Sequence, residues 1–174
     1  MPQKNAGIDK TLVDRGRMEV DRTRMKSEQY VAQGDYKSAL EVYTDACRKN
    51  SEHQSLRTNY HKTIVDIHRS ADDAFSREDF ASSGRAYYVL LKNNSYCQEL
   101  YRELTPDKGF LHARLEDCSS HLAQRALAEY RKGNLAEAIS IWKSILVFDP
   151  NNTGIMKSID TATIQLKSLQ QKKE

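Results

Sequence analysis

Apolar residues recur in three stretches of the chain at the same relative positions. The clearest stretch starts at Leu135, and its apolar residues stand at offsets of 0, 3, 4, 7, 10 and 11: Leu135, Ala138, Ile139, Trp142, Ile145 and Leu146. The same offsets select two further sets: Tyr36, Ala39, Leu40, Tyr43, Ala46 and Cys47, then Phe80, Ser83, Gly84, Tyr87, Leu90 and Leu91. Steps of three and four place side chains on one face of an α-helix. The pattern therefore predicts one kind of amphipathic helix, used three times.

A second helix and a short turn precede each of these helices. Nine positions before each set stands a small residue, and five positions before it stands a large one: Ser27 and Val31, Ala71 and Phe75, Ala126 and Tyr130. The dipeptides between the helices are typical of turns: Gly34-Asp35, Glu78-Asp79 and Gly133-Asn134. A small residue lets the two helices approach closely, and a large one near the turn fills the wedge between them. Each unit is therefore predicted to be a helical hairpin.

The hairpins are expected at about 9–50, 54–94 and 106–149, within a single domain over 9–174. Residues 1–8 are polar and weakly patterned, as in a flexible tail, and 96–104 are expected to form an inserted short helix. Thr105-Pro106-Asp107 is typical of a helix start. A last amphipathic helix is predicted over 153–172, capped by Asn152 or Thr153, and it is expected to cover the end of the stack.

The third unit closely resembles the tetratricopeptide repeat through Ala126, Gly133, Asn134, Leu135, Glu137-Ala138, Trp142 and Asp149-Pro150-Asn151-Asn152. The resemblance implies an all-α solenoid of antiparallel hairpins, with about seven or eight helices. The middle unit departs from the family pattern, because Ser83 and Gly84 stand where Ala and an aliphatic residue are expected, and Glu78 stands where Gly is usual. Equivalent positions are 44 and then 55 residues apart, against a family period of about 34. Extra helical length is therefore expected between the units.

Composition agrees with thin layers of helices. The chain has 174 residues, of which 39% are apolar and 29% charged, with only three prolines. No stretch alternates in the manner of a strand, which favours an all-α fold. The net charge of +3 is spread along the helices and does not indicate nucleic-acid binding. No stretch approaches the roughly 18 apolar residues of a membrane helix. The compartment stays open: the resemblance fits bacterial proteins of the cytoplasm, or of the periplasm and envelope if a signal segment was omitted.

Candidate chemistry is sparse. Cys47, Cys97 and Cys118 are too widely spaced for a zinc motif, and buried thiols are the simpler interpretation. His61 and His68 lie two turns apart, too far to share one ion without a third ligand. There is no glycine-rich phosphate loop and no nucleophile elbow. We therefore expect neither an enzyme, nor a bound metal, nor a cofactor.

The expected function is to hold a peptide or helix of another protein on the concave face formed by the first helix of each hairpin. If the ligand-facing positions of tetratricopeptide repeats carry over, the resemblance implies the contacts Arg24, Glu28, His68, Asp72, Phe75, Tyr130 and Arg131. Phe75 and Tyr130 fit a wedge-filling role equally well. Two other functions stay open: a self-associating structural domain that dimerises through its terminal helices, and a pocket for a small ligand.

Overall fold

A computed structural model of the chain describes residues 6–49, 54–93 and 107–171. These segments form seven helices and contain no strand: α1 Ala6–Ala32, α2 Tyr36–Lys49, α3 Gln54–Ser76, α4 Phe80–Lys92, α5 Lys108–Arg131, α6 Leu135–Leu146 and α7 Thr153–Gln171. The predicted all-α class is thereby confirmed. The inserted helix predicted at 96–104, together with Cys97, lies outside the described residues.

Three predicted boundaries need correction. Helix α1 begins at Ala6, so residues 6–8 are helical and do not belong to a tail. Helix α5 begins at Lys108, with Asp107 as its N-cap, although the Thr-Pro-Asp sequence predicted a start at 106. Helix α6 ends at Leu146 and not at Phe148, because the N–H groups of both Phe148 and Asp149 turn back to the Ile145 carbonyl and close the helix early.

The chain divides into two compact units, one comprising Met1–Ile67 with Lys92–Thr105 and the other His68–Leu91 with Pro106–Glu174. In the first unit α1 packs on α2, and in the second α5 packs on α6 and α6 on α7. The division falls inside α3, which supplies residues to both units. A solenoid and a single domain over 9–174 remain predictions.

The three hairpin turns share one backbone geometry. Gly34, Glu78 and Gly133 have φ angles of 73°, 61° and 83°. The N–H of each donates to the carbonyl three residues earlier at 3.0 Å, and the N–H of the following residue donates to the carbonyl five residues earlier at 2.9–3.0 Å. These two bonds define the Schellman motif that ends many helices. The sequence prediction of three equivalent turns is confirmed, including the turn without glycine.

The next helix starts differently in the third hairpin. Asp35 and Asp79 each accept the N–H of the residue three positions later, at 3.1 and 3.2 Å, and so cap α2 and α4. Asn134 makes no such bond and donates its amide to Glu129 at 2.7 Å. This bond and the Lys132 ammonium lower the pKa of the Glu129 carboxyl. Helix α7 is capped by Asn152, which accepts the Ile155 N–H at 3.0 Å, as the sequence predicted.

Small residues stand at equivalent close-packing positions in each of the three hairpins. Ser27 Oγ donates to the Ala39 carbonyl at 3.0 Å and lies 3.4 Å from Thr63 Oγ1. In the second hairpin the serine stands on the other helix, and Ser83 Oγ donates to the Ala71 carbonyl at 2.9 Å. In the third hairpin both positions are fully buried alanines, Ala126 and Ala138. Close packing is thus kept, and each buried hydroxyl has a backbone acceptor.

The predicted repeating faces form the cores. All members of the three sets are buried or half-buried, and Ala39, Tyr87, Leu90, Ala138 and Ile145 are completely buried. Cys47 and Cys118 are buried, as predicted, and burial raises the pKa of the Cys118 thiol. In the first unit Tyr43 packs edge to face on Tyr60 with ring centroids 5.8 Å apart.

Gly84 lies against the buried ring of Phe148, just beyond the end of α6. A Cβ at this position would stand 2.6 Å from the Cε1 atom of that ring. The φ angle of Gly84 is not positive, so the backbone conformation does not require glycine. Glycine is required because the Phe148 ring approaches so closely. The departure of the middle unit from the family pattern at this position therefore has a packing cause.

Candidate partner-binding site

Two predicted contacts belong to the first unit and form a surface ion pair. Arg24 Nη1 lies 3.1 Å and 3.3 Å from the two carboxylate oxygens of Glu28, one helical turn further along α1. Asp21 stands 4.0 Å from the same guanidinium. Both side chains of the main pair are about half exposed, at 40% and 51%. A pair of this kind contributes only about 0.3–0.5 kcal/mol to stability, so it stays available to exchange partners.

Three predicted contacts lie together on one face of α3 in the second unit. His68, Asp72 and Phe75 follow one another at helical steps of four and three. The Tyr87 hydroxyl of α4 donates to Asp72 Oδ1 at 2.5 Å, and His68 Nδ1 lies 3.5 Å from Asp72 Oδ2. Asp72 therefore holds two neighbouring side chains while its own side chain stays 42% exposed.

Helix α5 contributes two residues that the sequence analysis did not select. The guanidinium carbon of Arg114 lies 4.4 Å from the centroid of the Phe75 ring and 5.2 Å from that of Phe110. The Phe110 ring also packs near His68 and Tyr87, with centroids 5.9 and 6.4 Å apart. We name this group the α3–α5 cluster: His68, Asp72, Phe75, Tyr87, Phe110 and Arg114.

The row of rings continues beyond the cluster. Phe75 packs edge to face on Phe80 at 5.3 Å, and the Phe80 ring stacks on His121 at 4.2 Å with an interplanar angle of 4°. The contact of α3 and α4 with α5 thus contains a row of ring side chains beside the Arg114 guanidinium. Arrangements of this kind stabilise one side-chain conformation through edge-to-face and cation–π contacts.

Burial and the Asp72 carboxylate together raise the pKa of Tyr87 far above its ordinary value of 10.0. The hydroxyl thus stays protonated and keeps donating to Asp72. Among the described residues, the buried side-chain nitrogens without a hydrogen-bond partner are His68 Nε2 and Arg114 Nε. Both belong to the α3–α5 cluster. Unpaired buried polar atoms are rare in folded proteins, so the occurrence of two of them together distinguishes this cluster.

The last two predicted contacts, Tyr130 and Arg131, lie elsewhere on α5. They follow Arg114 by 16 and 17 residues, which is about 24 Å along a helix. Tyr130 packs on Trp142 with ring centroids 5.8 Å apart, as a wedge-filling residue would. The Arg131 side chain is exposed. The structure thus brings His68, Asp72 and Phe75 together and does not place Tyr130 and Arg131 beside them.

A signal for the missed residues was present in the sequence. Phe110 and Arg114 are four residues apart and share one helix face, and Leu111 and Cys118 mark the neighbouring buried face. The sequence does not show which residues of α3 and α5 lie opposite each other. In the family pattern Phe75 and Tyr130 are equivalent positions of two repeats, and that pattern does not indicate that Arg114 contacts Phe75.

The described segments contain no group of three His, Cys, Asp or Glu side chains that could hold a metal ion. None of the helices in the described ranges is both long and apolar enough to span a bilayer. Comparison with protein-family models, with curated proteins and with solved structures finds no match to this chain.

Proposed function

We propose that this protein is an interaction module that holds a peptide or helix of another protein against the α3–α5 cluster. The observation that carries the proposal is the arrangement of Phe110, Arg114 and Asp72, in which side chains typical of binding hot spots are half exposed yet held in place. Phe110 is 38% exposed although it is a large aromatic side chain. Aromatic residues and arginine are enriched among the residues that dominate binding energy at protein interfaces.

Preorganisation favours binding at this place. The Arg114 guanidinium is held between two rings, and Asp72 is held by the Tyr87 hydroxyl. A side chain that is already fixed loses little rotamer freedom when a partner binds, and that loss costs about 0.5–1.5 kcal/mol for each flexible side chain. The exposed Asp72 oxygens accept hydrogen bonds or a cation from the partner, and the face of Phe110 accepts an apolar side chain.

A quantitative pull-down tests the proposal. The tagged chain and its Phe110→Ala/Arg114→Ala variant are used to capture proteins from the cells that make the chain, and each captured protein is quantified relative to the bait. We expect one or a few partners near equimolar amounts, reduced about tenfold or more by the double substitution. Glu137→Ala, at an exposed position on α6, is the control and leaves capture unchanged. Equal capture by all three baits would contradict the proposal.

One observation favours self-association as a second candidate function. Helix α7 exposes several apolar side chains, with Ile164 at 67%, Leu169 at 52% and Met156 at 39%. Its inner face is covered only in part, because Ile155 and Ala162 are its buried residues. Exposed apolar side chains on a helix are typical of a surface that associates with another chain.

A further inference from the structure

The first unit contains a groove that the proposed function does not use. It lies between α1 and α2 and has a volume of about 1070 Å³. Its lining includes Arg15, Met18, Glu19, Arg22, Thr23 and Lys26 on α1, and Val42, Asp45 and Ala46 on α2. We define these residues as the α1–α2 groove. All of them belong to the first unit, whereas the α3–α5 cluster belongs to the second.

The floor of the groove is suited to apolar side chains. Val42 is half-buried and Ala46 is buried, so α2 presents small aliphatic groups. Met18 of α1 lines the same groove, with 72% of its surface exposed. Methionine is unbranched and polarizable, and it adapts its shape to an apolar side chain entering from a partner.

The edge of the groove is cationic. Arg15 and Arg22 are exposed and form no ion pair with another described residue. Lys26 adds a third cation, which lies 5.9 Å from the centroid of the Tyr30 ring. The lining also contains two carboxylates, Glu19 and Asp45, so its three cations leave it a net charge of +1. The charge left for a ligand is therefore positive.

The spacing of the cations indicates the shape of the ligand. Arg15 and Arg22 are seven residues apart, which is two turns and about 10.5 Å along a helix. Carboxylates seven residues apart on a second helix have the same separation, and apolar residues at steps of three and four between them would reach Met18 and Val42. The positive charge of the groove and the spacing of its cations therefore both fit a helix that carries carboxylates beside apolar residues.

We infer that the α1–α2 groove binds an acidic amphipathic helix of a partner protein. The contact is separate from the one at the α3–α5 cluster, so a single chain can engage two partner segments. Helix-in-groove recognition of this kind uses apolar residues as anchors and charge to set orientation and partner choice.

Fluorescence anisotropy with a designed probe tests the inference. The probe is a fluorescein-labelled helical peptide of about three heptads, with Leu at the apolar positions and Glu on both flanks, and the matched control carries Lys in place of every Glu. We expect the full chain to bind the Glu probe and to bind the Lys probe at least about tenfold more weakly. Arg15→Glu/Arg22→Glu should reverse this preference, whereas Arg17→Glu, also on α1 but outside the lining, should leave it unchanged.

Two further variants separate this inference from the proposed function. Met18→Glu should weaken the Glu probe at least about tenfold, while Phe110→Ala in the second unit should have no effect on it. The inference is overturned if the Glu probe does not bind at about 1 mM, if both probes bind alike, or if Arg17→Glu weakens binding as much as the double reversal. It is also overturned if Met18→Glu abolishes a dimer of the chain, because the occupant would then be a second copy.

Discussion

Among the described residues other than glycine, Glu78 is the one with a positive φ angle. Its φ angle of 61° lies in the left-handed region, where the equivalent residues of the other two turns are glycines. A side chain in this conformation costs about 1–2 kcal/mol, although replacing it with glycine also gives the unfolded chain more freedom. The left-handed turn is nevertheless formed, because both Schellman hydrogen bonds are made.

We expect Glu78→Gly to raise the free energy of unfolding by about 0.5–1 kcal/mol, as measured by urea denaturation. Gly133→Ala should lower it by about 1 kcal/mol. Because nothing lies within 4 Å of a Cβ added at Gly133, that loss would be conformational and not steric. If the two substitutions changed stability in the same direction, the shared turn geometry would be wrong.

Tyr87 makes the second prediction at the residue scale, and it concerns alkaline pH. Its folded pKa is raised above 10.0 by burial and by Asp72, so the protonated hydroxyl favours the folded state. That contribution is fully present below about pH 10 and is lost as the pH rises toward the folded pKa. Tyr87→Phe should therefore lower the free energy of unfolding by about 1–2 kcal/mol at neutral pH.

The difference between the wild type and Tyr87→Phe should narrow as the pH rises above 10, when unfolding is measured by circular dichroism across the range. Tyr43, whose pKa is also raised by burial, is present in both proteins and cancels from the comparison. A difference that stays constant to the highest pH at which both proteins fold would show that folding does not raise the pKa of Tyr87.

At the scale of elements, the contact between α4 and Phe148 makes a specific prediction. Alanine is favoured over glycine in a helix by about 1 kcal/mol, but a Cβ at Gly84 would stand 2.6 Å from a buried ring. Overpacking typically costs about 1–3 kcal/mol, so Gly84→Ala should destabilise the wild type by about 1 kcal/mol. In the background of Phe148→Leu, which removes the ring, the same substitution should be neutral or stabilising. Additive effects of the two substitutions would rule out this steric explanation.

The elements themselves could be predicted from the sequence because each hairpin carries redundant signals. The six offsets, the small residue represented by Ser27, Ala71 and Ala126, and the turn dipeptides all point to the same bounds. The buried serine stands on the first helix of the first hairpin, as Ser27, and on the second helix of the second hairpin, as Ser83. This change was not predictable, because a hydroxyl on either helix satisfies the same close contact. Asn152 caps α7 as predicted, whereas the bond from Asn134 to Glu129 was not predicted.

The candidate site was less predictable because it depends on how α3 and α5 meet. Helix periodicity fixes that His68, Asp72 and Phe75 share a face, but it does not fix which residues of α5 lie opposite them. The spacing between units grows from 44 to 55 residues, so the register was not constrained. As a result, Phe110 and Arg114 were missed, although Arg114 contacts Phe75.

At the scale of the whole molecule, the two candidate functions predict different oligomeric states. If the chain acts as an interaction module for other proteins, light scattering should give the mass of one chain at tens of micromolar. If α7 forms a seam between copies, a dimer should appear and Ile164→Lys should dissociate it, because a charge at this exposed apolar position opposes its burial. Gln165→Lys, at an exposed position of α7 about 100° around the helix from Ile164, is the control.

The central claim is that the α3–α5 cluster contacts another protein, and site-specific photo-crosslinking in living cells tests it most directly. A benzophenone side chain is placed at Phe110, and in a control protein at the exposed Glu137 of α6. We expect a discrete protein adduct from position 110, absent from position 137 and lost when Arg114→Ala is added. The same adducts from both positions, or no adduct from position 110, would contradict the claim.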